Sequence, residues 1–244
     1  MTAKEHIDYR AGCLLLVDKP LEWTSFDVVN KIKHKLNYKI PKGSRIKVGH
    51  AGTLDPLATG LLIVATGKFT KKLHDLQGLD KTYSGTIKLG ATTASYDAET
   101  EEQEQFETAY LTDEKIKSAV EKLTGTISQI PPIFSAIRID GERAYKKARR
   151  NETDKLPDPR TVTVHSFETE TESLPLVDFK VNCSKGTYIR SLAFDLGRLL
   201  DNGGYLTSLR RTSIGDYSID NSQKLEDIVS QIEAFNHERL SKLG

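Results

Sequence analysis

Apolar residues recur along this chain in two rhythms, one helical and one alternating. Phe26, Val28, Val29, Ile32 and Leu36 fall near helical spacing behind Thr24 or Ser25, which predicts a capped helix ending around Asn37. Ile116, Ala119, Val120 and Leu123 predict another that Thr112 caps. Helices are also predicted over Thr70–Leu76, over the segment that Ser184–Arg190 opens toward Leu200, and in the amphipathic stretch Leu225–Leu240. Residues 13–17 form a strand broken by Lys19-Pro20, Thr82–Leu89 another, and Val162–Thr169 with Leu176–Asn182 an alternating pair. The run Leu61-Leu62-Ile63-Val64-Ala65 fits a buried strand or a short core helix, and periodicity does not separate them. Pro131-Pro132 and Asp140-Gly141 predict a rigid turn, then a hairpin, then a basic helix over Arg143–Arg150; 151–159 is a loop. Strands and helices intermix without a regular βαβ period, so the expected fold is α+β, a mixed, mainly antiparallel sheet flanked by helices and loops.

Length leaves room for one or two domains, and 37% hydrophobic with 28% charged residues is a soluble globular composition. Cys13 and Cys183 stand far apart without ligand spacing, so buried thiols in a reducing cytoplasm are expected. The apolar run after Cys13 lies on the wrong side for a signal sequence, and nothing approaches the ~20 apolar residues of a membrane span. The formal charge of +1 conceals segregation: Lys31, Lys33, Lys35, Lys39, Lys42, Arg45 and Lys47 lie in a stretch without acids. From Thr92 to Glu114 the reverse holds, with Asp97, Glu99, Glu101, Glu102, Glu104, Glu107, Asp113 and Glu114 and no base, the stretch around 97–108 reading as a solvated loop or edge. The basic stretch fits a solvated helix face or a phosphate-binding surface.

Chemistry concentrates in Gly49–Gly67, GHAGTLDPLATGLLIVATG, where glycines at 49, 52 and 60 surround the carboxylate of Asp55. By itself Asp55 before Pro56 is turn chemistry. The P-loop is excluded because six residues separate Gly60 from Gly67 and no hydroxyl follows Lys68. No dinucleotide fingerprint follows a strand, and the histidines and cysteines form no ligand pair, so no cofactor and no metal are expected. The remaining constellation is Asp55, Tyr83, Lys185, Tyr188 and Arg190, with basic segments at 31–47, 143–150 and 210–211. An ionised Asp beside an Arg, with a Tyr offering a flat face and a phenol, suits chemistry on a sugar or a base.

Several motifs occur together in order: Leu16-Val17-Asp18-Lys19-Pro20, the run Gly49–Gly60, Asp80-Lys81-Thr82-Tyr83, Ile130–Ala136, Cys183–Arg190 and Leu209-Arg210-Arg211. Through them the chain resembles the TruB-type tRNA pseudouridine synthases from about residue 12 to 220. The resemblance implies a pseudouridine synthase fold over 10–220 with a helical tail at 221–244, and isomerisation of uridine 55 in the T arm of tRNA. It makes Asp55 the nucleophile, attacking ribose or ring, Tyr83 the residue that stacks on the base and Arg190 the aspartate's partner. Tyr188 and Leu209 belong to the pocket, His50 to the flipped nucleotide or to loop ordering, and Lys19 and Lys71 to phosphates. Gln129–Arg150 resembles an RNA clamp, with Arg138, Arg143, Lys146, Lys147, Arg149 and Arg150 available to grip. Many bacterial relatives continue into a C-terminal RNA-binding domain, and none is expected here. The implied protein acts alone, as a monomer on tRNA; a guide-RNA-dependent synthase and a tRNA-folding chaperone are the competing readings.

Overall fold

The computed structural model describes residues 7–135, 137–139, 141–150, 152 and 157–241; Ala136, Asp140 and most of the predicted loop at 151–156 lie outside them. In chain order the elements are β1 (Leu14–Lys19), α1 (Ser25–Leu36), β2 (Val48–His50), β3 (Ala58–Thr66) and α2 (Leu73–Gly78). Next come β4 (Lys81–Leu89), β5 (Ala91–Thr93), β6 (Glu102–Gln105), α3 (Asp113–Lys122), β7 (Gly125–Gln129), β8 (Arg138–Ile139), β9 (Glu142–Arg143) and α4 (Ala144–Arg149). The chain finishes with β10 (Arg160–Ser173), β11 (Leu176–Cys183), α5 (Ile189–Leu199), β12 (Gly204–Ile214), β13 (Tyr217–Ser218), β14 (Gln223–Lys224) and α6 (Leu225–Ser241).

Two compact units emerge, one made of the chain through Leu79 together with the segment from Arg210 onward, the other of Asp80–Leu209. In the first, β3 pairs antiparallel with β1, from Leu14 opposite Ala65 to Lys19 opposite Gly60, and with β2, while β14 joins β1 in parallel. Leu62 and Val64 face a core with Val17, Val28, Ile32, Leu36, Leu225, Ile228 and Ile232, whereas Leu61 and Ile63 face Ala51, Leu76 and Ile214. Both faces of β3 are therefore buried, which is why its sequence is continuously apolar and could not be told from a helix. The C-terminal segment is part of this core: α6 packs on α1 and β1. Thr24 caps α1 with a full capping box, its side chain accepting from Asp27 N–H and Asp27 accepting from Thr24 N–H.

In the second unit β11 pairs antiparallel with β4 and β10, and β10 with β7. Val177, Phe179 and Val181 are buried while Leu176, Asp178 and Lys180 are exposed, so this sheet has one solvated face. Helix α3, capped by Thr112, lays Ile116, Ala119 and Val120 inward and packs on β10 and α5. Strand β6, EQEQ, is wholly exposed, as the acidic composition requires. Asp97 departs from that expectation, being 6% exposed. No helix among the described residues is long and apolar enough to cross a membrane.

Candidate active site

In the first unit the loop carrying Asp55 is held from several sides. Gly52 and Gly60 adopt φ of +91° and +103°, conformations that only glycine takes without strain. Asp55 opens a turn over Pro56, closed by the Ala58 N–H donating to the Asp55 carbonyl at 3.1 Å. Ser25 Oγ accepts from the Leu54 N–H at 2.8 Å and donates to the Leu54 carbonyl at 3.2 Å. The Glu22 N–H donates to the Pro56 carbonyl at 2.9 Å. The first residue of α1 and the turn before it are thus laced to the two neighbours of Asp55, whose side chain is half-buried.

Lys19 requires a correction. Expected at a phosphate, it is fully buried, and its Nζ donates to the carbonyls of Pro20 at 2.8 Å, Trp23 at 2.5 Å and Pro56 at 3.4 Å. Burial lowers its pKa to about 8; the Asp55 carboxylate opposes that shift, Arg211 reinforces it and Asp27 opposes it. Because the folded pKa lies below the unfolded value, the folded protein binds fewer protons here between about pH 8 and 10.5, and stability rises with pH across that window. The unfolding free energy of the wild type minus that of Lys19→Met should therefore increase by up to about 1.4 kcal/mol per pH unit there. Denaturant melts of both proteins from pH 7 to 10 measure it; a flat difference would contradict the assignment.

The basic pair at 210–211 is likewise engaged within the fold, Arg210 at a partly exposed ion pair and Arg211 in the interior. Arg210 makes a bidentate pair with Asp18 at 2.8 and 3.0 Å, and Arg211 is 1% exposed, donating to the carbonyls of Leu61 at 2.8 Å and Gly52 at 3.1 Å. His50, at the end of β2, is half-buried; burial lowers its pKa, the Gly52 backbone opposes this and Arg211 adds to it, which favours neutral imidazole near pH 7. Lys71 is exposed on a short turn of helix at Gly67–Lys72.

Tyr83, Tyr188, Arg190 and Leu209 belong to the second unit. Tyr83 sits in β4 opposite Val181, its side turned with Ile87 and Leu89 toward the interior and 9% exposed. Arg190, 4% exposed in the first turn of α5, donates to the carbonyls of Ser95 at 3.1 Å and Phe134 at 2.9 Å and lies 3.6 Å from the Asp97 carboxylate. Gln129, fully buried, holds the backbone of Tyr188 from both sides: the Tyr188 N–H donates to its Oε1 at 2.7 Å and its Nε2 donates to the Tyr188 carbonyl at 3.1 Å. The Tyr188 ring is half-buried beneath Arg160, 5.3 Å from the guanidinium carbon, and Leu209 is half-buried. Asp97, Gln129, Ser25 and Arg211 carried no sequence signal for these tasks. Ser25 stood at the start of a predicted helix, Gln129 at the start of the clamp-like segment and Arg211 in the Leu209-Arg210-Arg211 motif, but none of these signals pointed to the contacts found.

Of the basic segments, Lys31, Lys33, Lys39, Lys42, Arg45 and Lys47 are exposed, while Lys35 pairs with Glu233 of α6. In the expected clamp Arg150 pairs with Glu142 at 2.9 Å and Glu152 at 2.6 Å, so its charge is already matched; the side chains of Arg138, Arg143, Lys146 and Arg149 lie outside what the structure describes. Cys13 and Cys183 are both free thiols, and burial pushes Cys183 up to about 11. Among the described residues no group of three or more His, Cys, Asp or Glu could hold a metal ion.

Known proteins resemble this chain in sequence and in fold. Residues 33–189 match the TruB family pseudouridylate synthase N-terminal domain. The chain is 51% identical over 222 residues to tRNA pseudouridine synthase B of Flavobacterium johnsoniae, covering 91% of this chain and 95% of that protein. It is 45% identical over 227 residues to the protein of the same name from Parabacteroides distasonis, covering 93% and 96%. Among solved structures it resembles a chain of a Cbf5-Nop10-Gar1 complex, with a TM-score of 0.66 and 28% identity over 91% of this chain and 54% of that one. A chain of an H/ACA RNP bound to a substrate RNA containing 2'-deoxyuridine gives 0.67 and 26%, over 94% and 56%. With more than half its length inside the family's defining domain, the chain belongs to the TruB family of pseudouridylate synthases.

Proposed function

We propose that this protein converts uridine 55 in the T arm of tRNA to pseudouridine, acting alone, as a monomer in the cytoplasm, and without cofactor. The observation that carries the proposal is the match, nearly end to end, to proteins named tRNA pseudouridine synthase B at 45–51% identity. The similarity to the chains of the Cbf5-Nop10-Gar1 complex and of the H/ACA RNP is lower, 26–28% over little more than half of those chains, and this favours the stand-alone reading.

In the proposed reaction the target uridine is everted at a cost of a few kcal/mol and stacks on Tyr83. Asp55 attacks ribose or ring, the N-glycosidic bond breaks, uracil turns and rejoins the ribose through carbon, and the displaced ring proton leaves as the ring nitrogen gains one. Bonds are exchanged within one nucleotide, so no energy source enters. Arg190 serves as the aspartate's partner, Tyr188, Leu209 and His50 contact the nucleotide, and Lys71 contacts phosphate. The test is to map pseudouridine in an unmodified T-arm transcript incubated with the purified protein alone. Formation at position 55 without guide RNA is expected, and its absence, or a requirement for added RNA, would refute the stand-alone assignment.

The exposed cations of the 31–47 stretch supply a field for the phosphates. Replacing Lys31, Lys33, Lys39 and Lys42 together by Gln should leave single-turnover chemistry at saturation unchanged. The slope of log affinity for tRNA against log salt should fall by about 0.7–0.9 for each phosphate that is no longer neutralised. An unchanged slope would move the RNA surface elsewhere.

A further inference from the structure

Arg211 is among the largest fully buried side chains, although its sequence position marks it as one of a basic pair. Its backbone closes against Gly60: a Cβ at that glycine would lie 2.3 Å from the Arg211 carbonyl oxygen and 2.7 Å from its nitrogen. From there the side chain doubles back beneath the loop, where Nε donates to the Leu61 carbonyl at 2.8 Å and Nη2 to the Gly52 carbonyl at 3.1 Å. Those carbonyls lie on either side of Asp55 in the chain, so one planar group ties the start of the loop to its end. Nη1 lies 3.6 Å from where a Cβ on Gly52 would stand.

A buried cation is costly unless its donors are matched, and a mere floor beneath a loop is provided more cheaply by apolar side chains. What apolar residues cannot provide is a fixed distance. The guanidinium's donors are set by its own covalent geometry, so the span between Gly52 and Leu61 is held rigidly, whereas a lysine would offer a single flexible point of attachment. Lys19 shows the contrast, since its ammonium gathers carbonyls of neighbouring turns on the Pro56 side of the same loop. Arg211 instead joins the Gly52 and Leu61 ends of that loop, the segment that carries Asp55.

We propose that Arg211 is a positioning residue for Asp55, a planar brace that fixes the span of the loop and so the direction in which the carboxylate faces its substrate. The proposal rests on the reading of Asp55 as nucleophile. It is tested with Arg211→Lys, by single-turnover pseudouridine formation, tRNA binding, thermal melting and hydrogen exchange of the loop amides, with Asp55→Asn alongside. Arg211→Lys should bind tRNA within twofold of wild type while its single-turnover rate falls about 100-fold, the scale of a misplaced reacting group, and amides of 52–61 exchange faster. A rate within threefold of wild type, or a rate loss matched by an equal loss of affinity, overturns it. If Arg211→Lys does not fold, Arg211→Gln is judged by the same measurements, and two unfolded variants would assign the residue to fold stability and equally overturn the proposal. An active Asp55→Asn would remove the nucleophile reading and this inference with it; an inactive Asp55→Asn beside a fully active Arg211→Lys would remove the inference alone.

Discussion

Asp55→Asn should abolish pseudouridine formation, lowering the single-turnover rate on the order of 10⁴-fold or more, which corresponds to about 5.5 kcal/mol of transition-state stabilisation. The substitution is nearly isosteric, and an Asn can open the same turn over Pro56, so the loop's shape should survive. Ser25, Glu22 and Arg211 hold backbone groups of the loop and do not depend on the carboxylate. Affinity for tRNA should consequently stay within a few-fold of wild type and the melting temperature should change little. One secondary effect follows from Lys19, whose charge Asp55 supports: its pKa should move further down in the variant, weakening the donor to Pro56. Rapid-quench measurement of pseudouridine at saturating enzyme separates these effects, and a rate within tenfold of wild type would refute the nucleophile assignment.

Elements whose side chains meet one environment per face were legible in the sequence. Strand β11 alternates Val177, Phe179 and Val181 with exposed residues, and α3 presents Ile116, Ala119 and Val120 behind a Thr cap, so periodicity alone located both. Strand β3 was ambiguous because both its faces are covered, which removes the alternation that distinguishes a strand. The division into units was hidden for a different reason: α1 and β1 are completed by α6, roughly two hundred residues away, and no local pattern records that partnership.

At the candidate site the distinctive side chains were legible and their supports were not. Asp55 stands out because its loop is rich in glycine, but Lys19 and Arg211 look like surface cations until the fold encloses them. Charge in a sequence predicts exposure only where no set of carbonyls is arranged to receive it, and such sets are created by tertiary structure. Asp97 shows the same limit from the acidic side: the residues from Glu101 to Glu107 that follow it are exposed, whereas it lies within reach of Arg190.

Arg190→Met should have the second largest effect, on stability and activity together. The guanidinium and the Asp97 carboxylate are 5% and 8% exposed as side chains, and removing one member of a buried pair typically costs 3–5 kcal/mol, about the stability loss expected here in urea melts. The Ser95 and Phe134 carbonyls lose their donors in the same step. If holding Asp97 and these carbonyls were all that Arg190 did, replacing the acid as well should repair both defects. Asp97→Leu added to Arg190→Met removes the buried carboxylate, and the pair should regain at least about 1 kcal/mol relative to the sum of the single variants. The proposed partnership with Asp55 gives a different expectation for activity, because no repacking at position 97 replaces a cation needed beside the nucleophile. Stability should therefore recover in the double variant while the single-turnover rate remains at least about 100-fold below wild type. Recovery of both would reduce Arg190 to a scaffold residue; recovery of stability alone separates its structural work from its part in the reaction.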